Sequence, residues 1–163
     1  MKFDSTVRYP GDLASTTALL LDPGYLEFRL RKMGVEVVEQ SVETRDGAPR
    51  LSVRATVPSE MVPATYRRFV PPRLKLHLVE VWQPQAGDRS PTGTLTVEVE
   101  GLPARAAASF RLDAVDEGTE RVYSGDVTAS IPLVGRKLES AAVAALDRVV
   151  RAEQRAAAEY LAR

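Results

Sequence analysis

The sequence contains no cysteine, which excludes disulfide bonds, thiolate catalysis and cysteine-based zinc sites. It has a single histidine, His77. One histidine cannot assemble the usual histidine-based metal site, and any Ser-His-Asp triad would have to use this residue. His77 falls on the polar face of a predicted strand, which favours a solvated side chain. We therefore assign no catalytic residue and no metal ligand, and we expect no cofactor.

The chain also lacks an excess of charge of either sign, since 22 basic residues balance 22 acidic ones. This balance argues against a generic nucleic-acid or anionic-membrane binder, because both require a positive field. No apolar run approaches the ~20 residues of a membrane span, and the N-terminus has no apolar signal segment. We expect a cytoplasmic protein without stable membrane insertion, folded as one domain over residues 1–163.

Alternation of apolar and polar residues is the main structural signal. The spacing predicts two short helices after the first strand, with Asp12 and Asp22 as N-caps. Asp46-Gly47 and Glu117-Gly118 are typical of hairpin turns. An irregular segment, 59–72, separates the third and fourth strands. The predicted strands cover residues 2–9, 35–44, 50–57, 73–82, 94–100, 104–115 and 119–131.

A long amphipathic helix is predicted from Val134 to Leu161, and its apolar side is rich in alanine. Small side chains on a buried face either let the backbones approach closely or leave a cavity that larger residues hold open. The alanine pattern by itself leaves both arrangements open. The apolar stripe contains Leu138, Ala142, Ala145, Val149, Ala152, Ala156 and Tyr160, widened by Leu146, Val150 and Leu161.

Strands joined by short turns form an antiparallel meander, and seven twisted strands curl around the long helix. This predicts an α+β fold: a curved seven-stranded antiparallel sheet with the C-terminal helix packed across its concave face. The order of elements, with the phrases "MKFDSTVRYP", "LLLDPGYLEFRLRKMG", "EVW" and "IPLVGRKLE", resembles the START-like, polyketide-cyclase-like (SRPBCC) superfamily of helix-grip proteins. Within it, the phrases look like an actinobacterial family without an assigned function. The resemblance implies a hydrophobic pocket between sheet and helix, which favours the cavity over a close approach, and it supplies no catalytic residues to carry over.

Glu80 stands out among the pocket candidates because it lies on the apolar face of its strand. It would hydrogen-bond a ligand or act as a general base; alternatively, it sits at a rim or pairs with an arginine such as Arg54. Tyr9 and Tyr123 would orient a ligand through their hydroxyls, or are ordinary core tyrosines. The predicted ligand-binding residues are Tyr9, Leu76, Leu78, Glu80, Trp82, Phe110, Tyr123, Ala142, Ala145 and Val149.

Three functions remain open from the sequence. The first is binding, sequestration or transport of a small hydrophobic molecule, such as a lipid or a polyketide-like ring. The second is an enzyme of the cyclase, aromatase or hydrolase type that uses Glu80 or a tyrosine in the same cavity. The third is an interaction module or homodimer that docks through residues 59–70 or a free edge strand. Residues 59–70 are alternatively a lid over the cavity.

Overall fold

The computed structural model describes all residues from 1 to 163. Strand β1 is followed by two short helices, six further strands and one long helix. The bounds are β1 Lys2–Tyr9, α1 Leu13–Leu20, α2 Pro23–Lys32, β2 Glu36–Arg45, β3 Ala48–Pro58, β4 Arg73–Trp82, β5 Thr92–Val99, β6 Ala104–Val115, β7 Gly118–Ala129 and α3 Gly135–Leu161.

All seven strands belong to one open antiparallel sheet with the order β1-β7-β6-β5-β4-β3-β2. The meander from β2 to β7 accounts for six strands, and β1 closes the other side by pairing with β7. This arrangement confirms the predicted α+β helix-grip architecture. The edges are β1 and β2, so the two ends of the sheet are formed by strands that neighbour the short helices in sequence.

Local sequence signals place the short helices and the turns. The Asp12 carboxylate accepts a hydrogen bond from the Ser15 N–H, and the Asp22 carboxylate accepts one from the Gly24 N–H. Both predicted N-caps are therefore confirmed. In the β2–β3 turn Gly47 has φ of 75°, a left-handed conformation that glycine adopts without a steric penalty.

The interior is divided into a solid core and a cavity. The core lies under α1 and α2, where side chains from these helices meet β3, β4 and β6 and the C-terminal part of α3. Its largest fully buried apolar members include Leu20, Tyr25, Leu26, Leu51 and Leu112. The N-terminal half of α3 lies over the other part of the sheet, and there the space beneath it is not filled.

The inner face of α3 differs from the predicted apolar stripe at individual positions. Its buried residues are Gly135, Glu153, Ala156 and Ala157, so the inner face passes through a glutamate. Ala145, which we predicted on this face, is only partly buried and does not line the space under the helix. The position of the buried face was ambiguous because alanine occurs on several sides of the helix. The apolar residues alone do not show which side is centred on the sheet.

The irregular segment between β3 and β4 forms two short 3₁₀ turns, Ser59–Met61 and Ala64–Phe69. Val62 and Val70 from this segment line the cavity, so it covers part of the opening. None of the helices in the structure is both long enough and apolar enough to cross a membrane.

Candidate functional site

The candidate site is a cavity of about 480 Å³ between the sheet and α3. This volume lies within the range of roughly 300–1,000 Å³ that is usual for small-molecule sites. Of its 29 lining residues 23 are hydrophobic, and the lining comes from α2, α3, five strands and the segments that connect these elements. Val149 lines the cavity and is 47% exposed, so the cavity reaches the surface beside α3.

A cluster of buried charges closes the cavity at the boundary with the solid core. Its centre is Glu153 of α3, whose Oε1 atom accepts three hydrogen bonds. The donors are the hydroxyl of Tyr9 at 2.9 Å, the hydroxyl of Tyr25 at 3.0 Å and the Arg29 guanidinium at 3.1 Å. One carboxylate therefore joins β1, α2 and α3.

Glu80 of β4 forms the second half of the cluster. Its Oε2 lies 2.9 Å from the Arg121 guanidinium and accepts a hydrogen bond of 3.2 Å from the Trp82 indole N–H. Its Oε1 lies 3.6 Å from Arg29. Arg29 thus bridges the two glutamates, and the four charged side chains sum to zero. We define Arg29, Glu80, Arg121 and Glu153 as the charged tetrad.

Aromatic rings enclose Arg121, which is fully buried. Its guanidinium carbon lies 4.0 Å from the centre of the Phe110 ring, 4.8 Å from that of Tyr123 and 5.3 Å from that of Trp82. Cation–π attraction offsets part of the lost hydration of this charge. Arg121 does not line the cavity, whereas Arg29, Glu80 and Glu153 do.

Contacts within the tetrad favour the ionised forms of Glu80, Arg29 and Arg121. Burial opposes ionisation of Glu80, but Arg121 and Arg29 outweigh this effect and bring the pKa of Glu80 below its ordinary value. Burial alone would lower the pKa of Arg29, whereas Glu153 and Glu80 raise it. Burial also raises the pKa of the Tyr9 and Tyr123 hydroxyls, so both remain protonated hydrogen-bond donors.

Hydrogen-bonding capacity is left over in the tetrad. The Nε of Arg29 is buried and has no hydrogen-bond partner. The three guanidinium nitrogens of Arg121 also lack a partner of good geometry, although one of them is in close ionic contact with Glu80. The bonds around Glu153 and Glu80 do not involve the Tyr123 hydroxyl. A buried donor without a partner costs about 1–3 kcal/mol.

The structure places the predicted ligand-binding residues in two groups. Five of them line the cavity: Leu78, Glu80, Tyr123, Ala142 and Val149. The other five do not. Tyr9, Trp82 and Phe110 belong to the solid core, where they surround the tetrad, while Leu76 and Ala145 are partly exposed elsewhere.

The environments of Glu80 and His77 agree with the sequence-based expectations only in part. Glu80 does not pair with Arg54, which is exposed and bonds to Glu100 at 2.9 Å. His77 is half-buried on the opposite face of β4 from the cavity, with its Nε2 3.1 Å from the Ser52 hydroxyl.

Sequence reasoning missed three members of the tetrad. Arg29, Arg121 and Glu153 were not recognised as buried, because charged residues are usually placed at the surface. A signal was nevertheless present. Arg121 is in phase with Tyr123 on its strand, and Glu153 follows Val149 by one helical turn. Charged residues of both signs that lie in phase with the apolar faces of several elements indicate buried ion pairs.

The sequence matches, over residues 4–161, the profile of a family described as protein of unknown function (DUF2505). The chain belongs to this family. A comparison with curated proteins gives no match. The DUF2505 profile thus covers β1 to α3 and includes every member of the charged tetrad.

Solved structures place this DUF2505 member among helix-grip proteins. A protein of Thermus thermophilus is 16% identical, with a TM-score of 0.62 and coverage of 98% of this chain and 99% of that one. A STAR-related lipid transfer protein of Xanthomonas axonopodis is 16% identical, with a TM-score of 0.53 and coverage of 94% and 85%. The ZhuI aromatase/cyclase of Streptomyces sp. R1128 is 10% identical, with a TM-score of 0.56 and coverage of 96% and 90%. At these identities the likeness shows a shared fold.

Proposed function

We propose that this protein binds a small hydrophobic molecule in the cavity between its sheet and α3, and that it sequesters or carries this molecule. The observation that carries the proposal is the cavity itself, which has about 480 Å³ of space and a lining dominated by hydrophobic side chains. Protein interiors are normally filled to crystal-like density. An unfilled apolar space of this size that reaches the surface is therefore best understood as a binding site.

The named structural neighbours support the same proposal by analogy. One is named a lipid transfer protein and another an aromatase/cyclase, and by analogy these names favour a hydrophobic ligand for this chain. A shared fold does not transfer an activity. The proposal for this chain therefore depends on its own cavity.

The geometry gives less support to an enzyme of the cyclase or hydrolase type. A general base needs a pKa close to the working pH, whereas Arg121 and Arg29 hold the pKa of Glu80 below its ordinary value. The tyrosines of the site have raised pKa values because they are buried. Neither group is prepared for proton transfer at neutral pH. Dimerisation and cytoplasmic localisation stay predictions, the first of which light scattering would test.

A substitution that fills the cavity tests the proposal directly. Ala142 and Ala144 are both exposed residues of α3, but only Ala142 lines the cavity. We expect Ala142→Trp to weaken binding of a fluorescent apolar probe such as cis-parinaric acid by at least about tenfold. Ala144→Trp is the matched control and should bind like the wild type.

Native mass spectrometry of the purified protein, before and after organic extraction, provides the second measurement. We expect an apolar molecule to co-purify with the wild type and to be depleted from Ala142→Trp. Circular dichroism verifies that both variants are folded. Equal probe binding by folded Ala142→Trp and wild type would contradict the proposal, and so would a wild type that binds no apolar probe.

A further inference from the structure

The inner end of the cavity has a chemistry that selects the polar group of the ligand. We propose that the bound molecule carries an uncharged hydroxyl group, which lies against Tyr123, Arg29 and Glu153 at this end, and that a carboxylate is not accepted there. This inference rests on the proposed function, since it names the class of molecule that the cavity takes.

A hydrogen-bond donor without a protein partner lies at the inner end of the cavity. Tyr123 lines the cavity, and its hydroxyl stays outside the hydrogen bonds of the tetrad. Arg29 also lines the cavity with a side chain that is 8% exposed, although its unpaired Nε is enclosed by protein. An oxygen atom on a ligand that reaches this end would accept a hydrogen bond from the Tyr123 hydroxyl and so supply its missing partner.

Electric charge also limits which polar group the inner end of the cavity accepts. The tetrad as a whole is neutral, and the Arg121 guanidinium compensates Glu80 at 2.9 Å although it does not line the cavity. The inner end therefore has no cation left unpaired for a ligand carboxylate. Such a carboxylate would lose its hydration on entering this buried end without gaining an opposite charge.

The free carboxylate oxygen of Glu153 distinguishes a ligand hydroxyl from other neutral groups. The Oε1 of Glu153 already accepts three hydrogen bonds, whereas no hydrogen bond within the protein is directed to its Oε2. A ligand hydroxyl can donate to this carboxylate and accept from a neighbouring donor at the same time. A ketone uses only the donors, and a hydrocarbon uses neither. The expected order of affinity is alcohol, then ketone, then hydrocarbon.

The experiment compares four ligands with the same chain length: 1-tetradecanol, 2-tetradecanone, tetradecane and myristate at pH 8. Each competes with a bound fluorescent apolar probe on the wild type and on Tyr123→Phe, which removes one oxygen and keeps the ring. The matched control is Tyr66→Phe, because Tyr66 lies outside the cavity lining. We expect 1-tetradecanol to lose about fivefold or more in affinity on Tyr123→Phe, 2-tetradecanone to lose less and tetradecane to be unchanged.

The outcomes separate this inference from the proposed function. If all four ligands bind and Tyr123→Phe leaves the affinity for 1-tetradecanol unchanged, the hydroxyl assignment is wrong while the carrier proposal stands. If Tyr123→Phe lowers the affinity for myristate as much as it lowers the affinity for 1-tetradecanol, the assignment is also overturned, because the carboxylate of myristate would then lie at the inner end. Failure of all four ligands to bind the wild type would overturn both proposals.

Discussion

The charged tetrad predicts that one glutamate on the long helix contributes far more to stability than its neighbours. Glu153 is 5% exposed and accepts hydrogen bonds from Tyr9, Tyr25 and Arg29. Replacing it by alanine leaves the Arg29 charge buried with Glu80 alone, 3.6 Å away, and removes the acceptor of two buried hydroxyls. Breaking a buried ion pair by removing one partner typically costs ~3–5 kcal/mol.

The position of Glu153 beside the cavity moderates this cost. Because the residue lines the cavity, water can reach the site of the missing carboxylate and solvate part of the Arg29 charge. We therefore expect Glu153→Ala to lower the free energy of unfolding by about 4 kcal/mol, within the range for a broken buried pair. For a domain of this size, that corresponds to a melting temperature lower by roughly 8–16 °C. Glu153→Gln retains an acceptor oxygen without the charge and should be intermediate.

The matched control is Glu159→Ala on the same helix. Glu159 is 53% exposed in its side chain and pairs with Lys32 at 2.8 Å, and an exposed pair of this kind contributes only ~0–1 kcal/mol. Urea denaturation followed by circular dichroism gives the free energy of unfolding of each variant. If Glu153→Ala and Glu159→Ala differ by less than ~1 kcal/mol, the tetrad does not hold α3 in place as argued.

Three further perturbations test other parts of the structure. Arg121 and Arg29 hold the pKa of Glu80 in the folded protein below its ordinary value despite its burial, so its contribution to stability is present above the ordinary pKa and is lost as the pH falls through the folded-state pKa. The gap in unfolding free energy between wild type and Glu80→Gln should therefore be large at pH 7 and narrow towards pH 3; a constant gap would contradict this. Gly93→Ala would place a Cβ 2.5 Å from the Phe110 ring and should destabilise by about 1–3 kcal/mol in urea denaturation, so an unchanged midpoint would argue against the close approach. Asp22→Ala removes the cap of α2 and the 3.0 Å bond from the Tyr160 hydroxyl, with an expected cost of about 1–2 kcal/mol that Asp22→Asn should largely restore.

The fold could be predicted because its signals are local. Each strand alternates with a period of two, and turn signals such as Asp46-Gly47 separate consecutive strands that pair with each other. The N-caps Asp12 and Asp22 mark the short helices in the same way. Consecutive elements are usually neighbours in space, so a list of elements in order already restricts the topology to very few arrangements.

The candidate site was predicted only in part, because its decisive residues depend on contacts between distant segments. Glu153 is buried since Tyr9, Tyr25 and Arg29 reach it from positions between 124 and 144 residues away. Nothing in the sequence around Glu153 indicates these partners, and an isolated glutamate on a helix is normally solvated. Glu80 was recognised because four apolar residues share its face, but its partner Arg121 lies on a strand that is not adjacent to β4 in the sheet.

The location of the tetrad explains why this chain keeps buried charges that apolar residues of similar volume could replace. Such a replacement is often neutral or stabilising in a solid core, and here the core under α1 and α2 is solid. The tetrad, however, lies where that core ends and the cavity begins, with Arg29, Glu80 and Glu153 facing the space. Apolar residues would end the cavity equally well but would give a ligand no fixed orientation.

A neutral set of paired charges with free donors at its edge costs folding energy in the empty protein, and a ligand of matching polarity recovers part of it on binding. Binding should therefore stabilise the fold in proportion to RT ln(1 + [L]/Kd), and the part of this stabilisation that depends on Tyr123 measures what the polar end contributes.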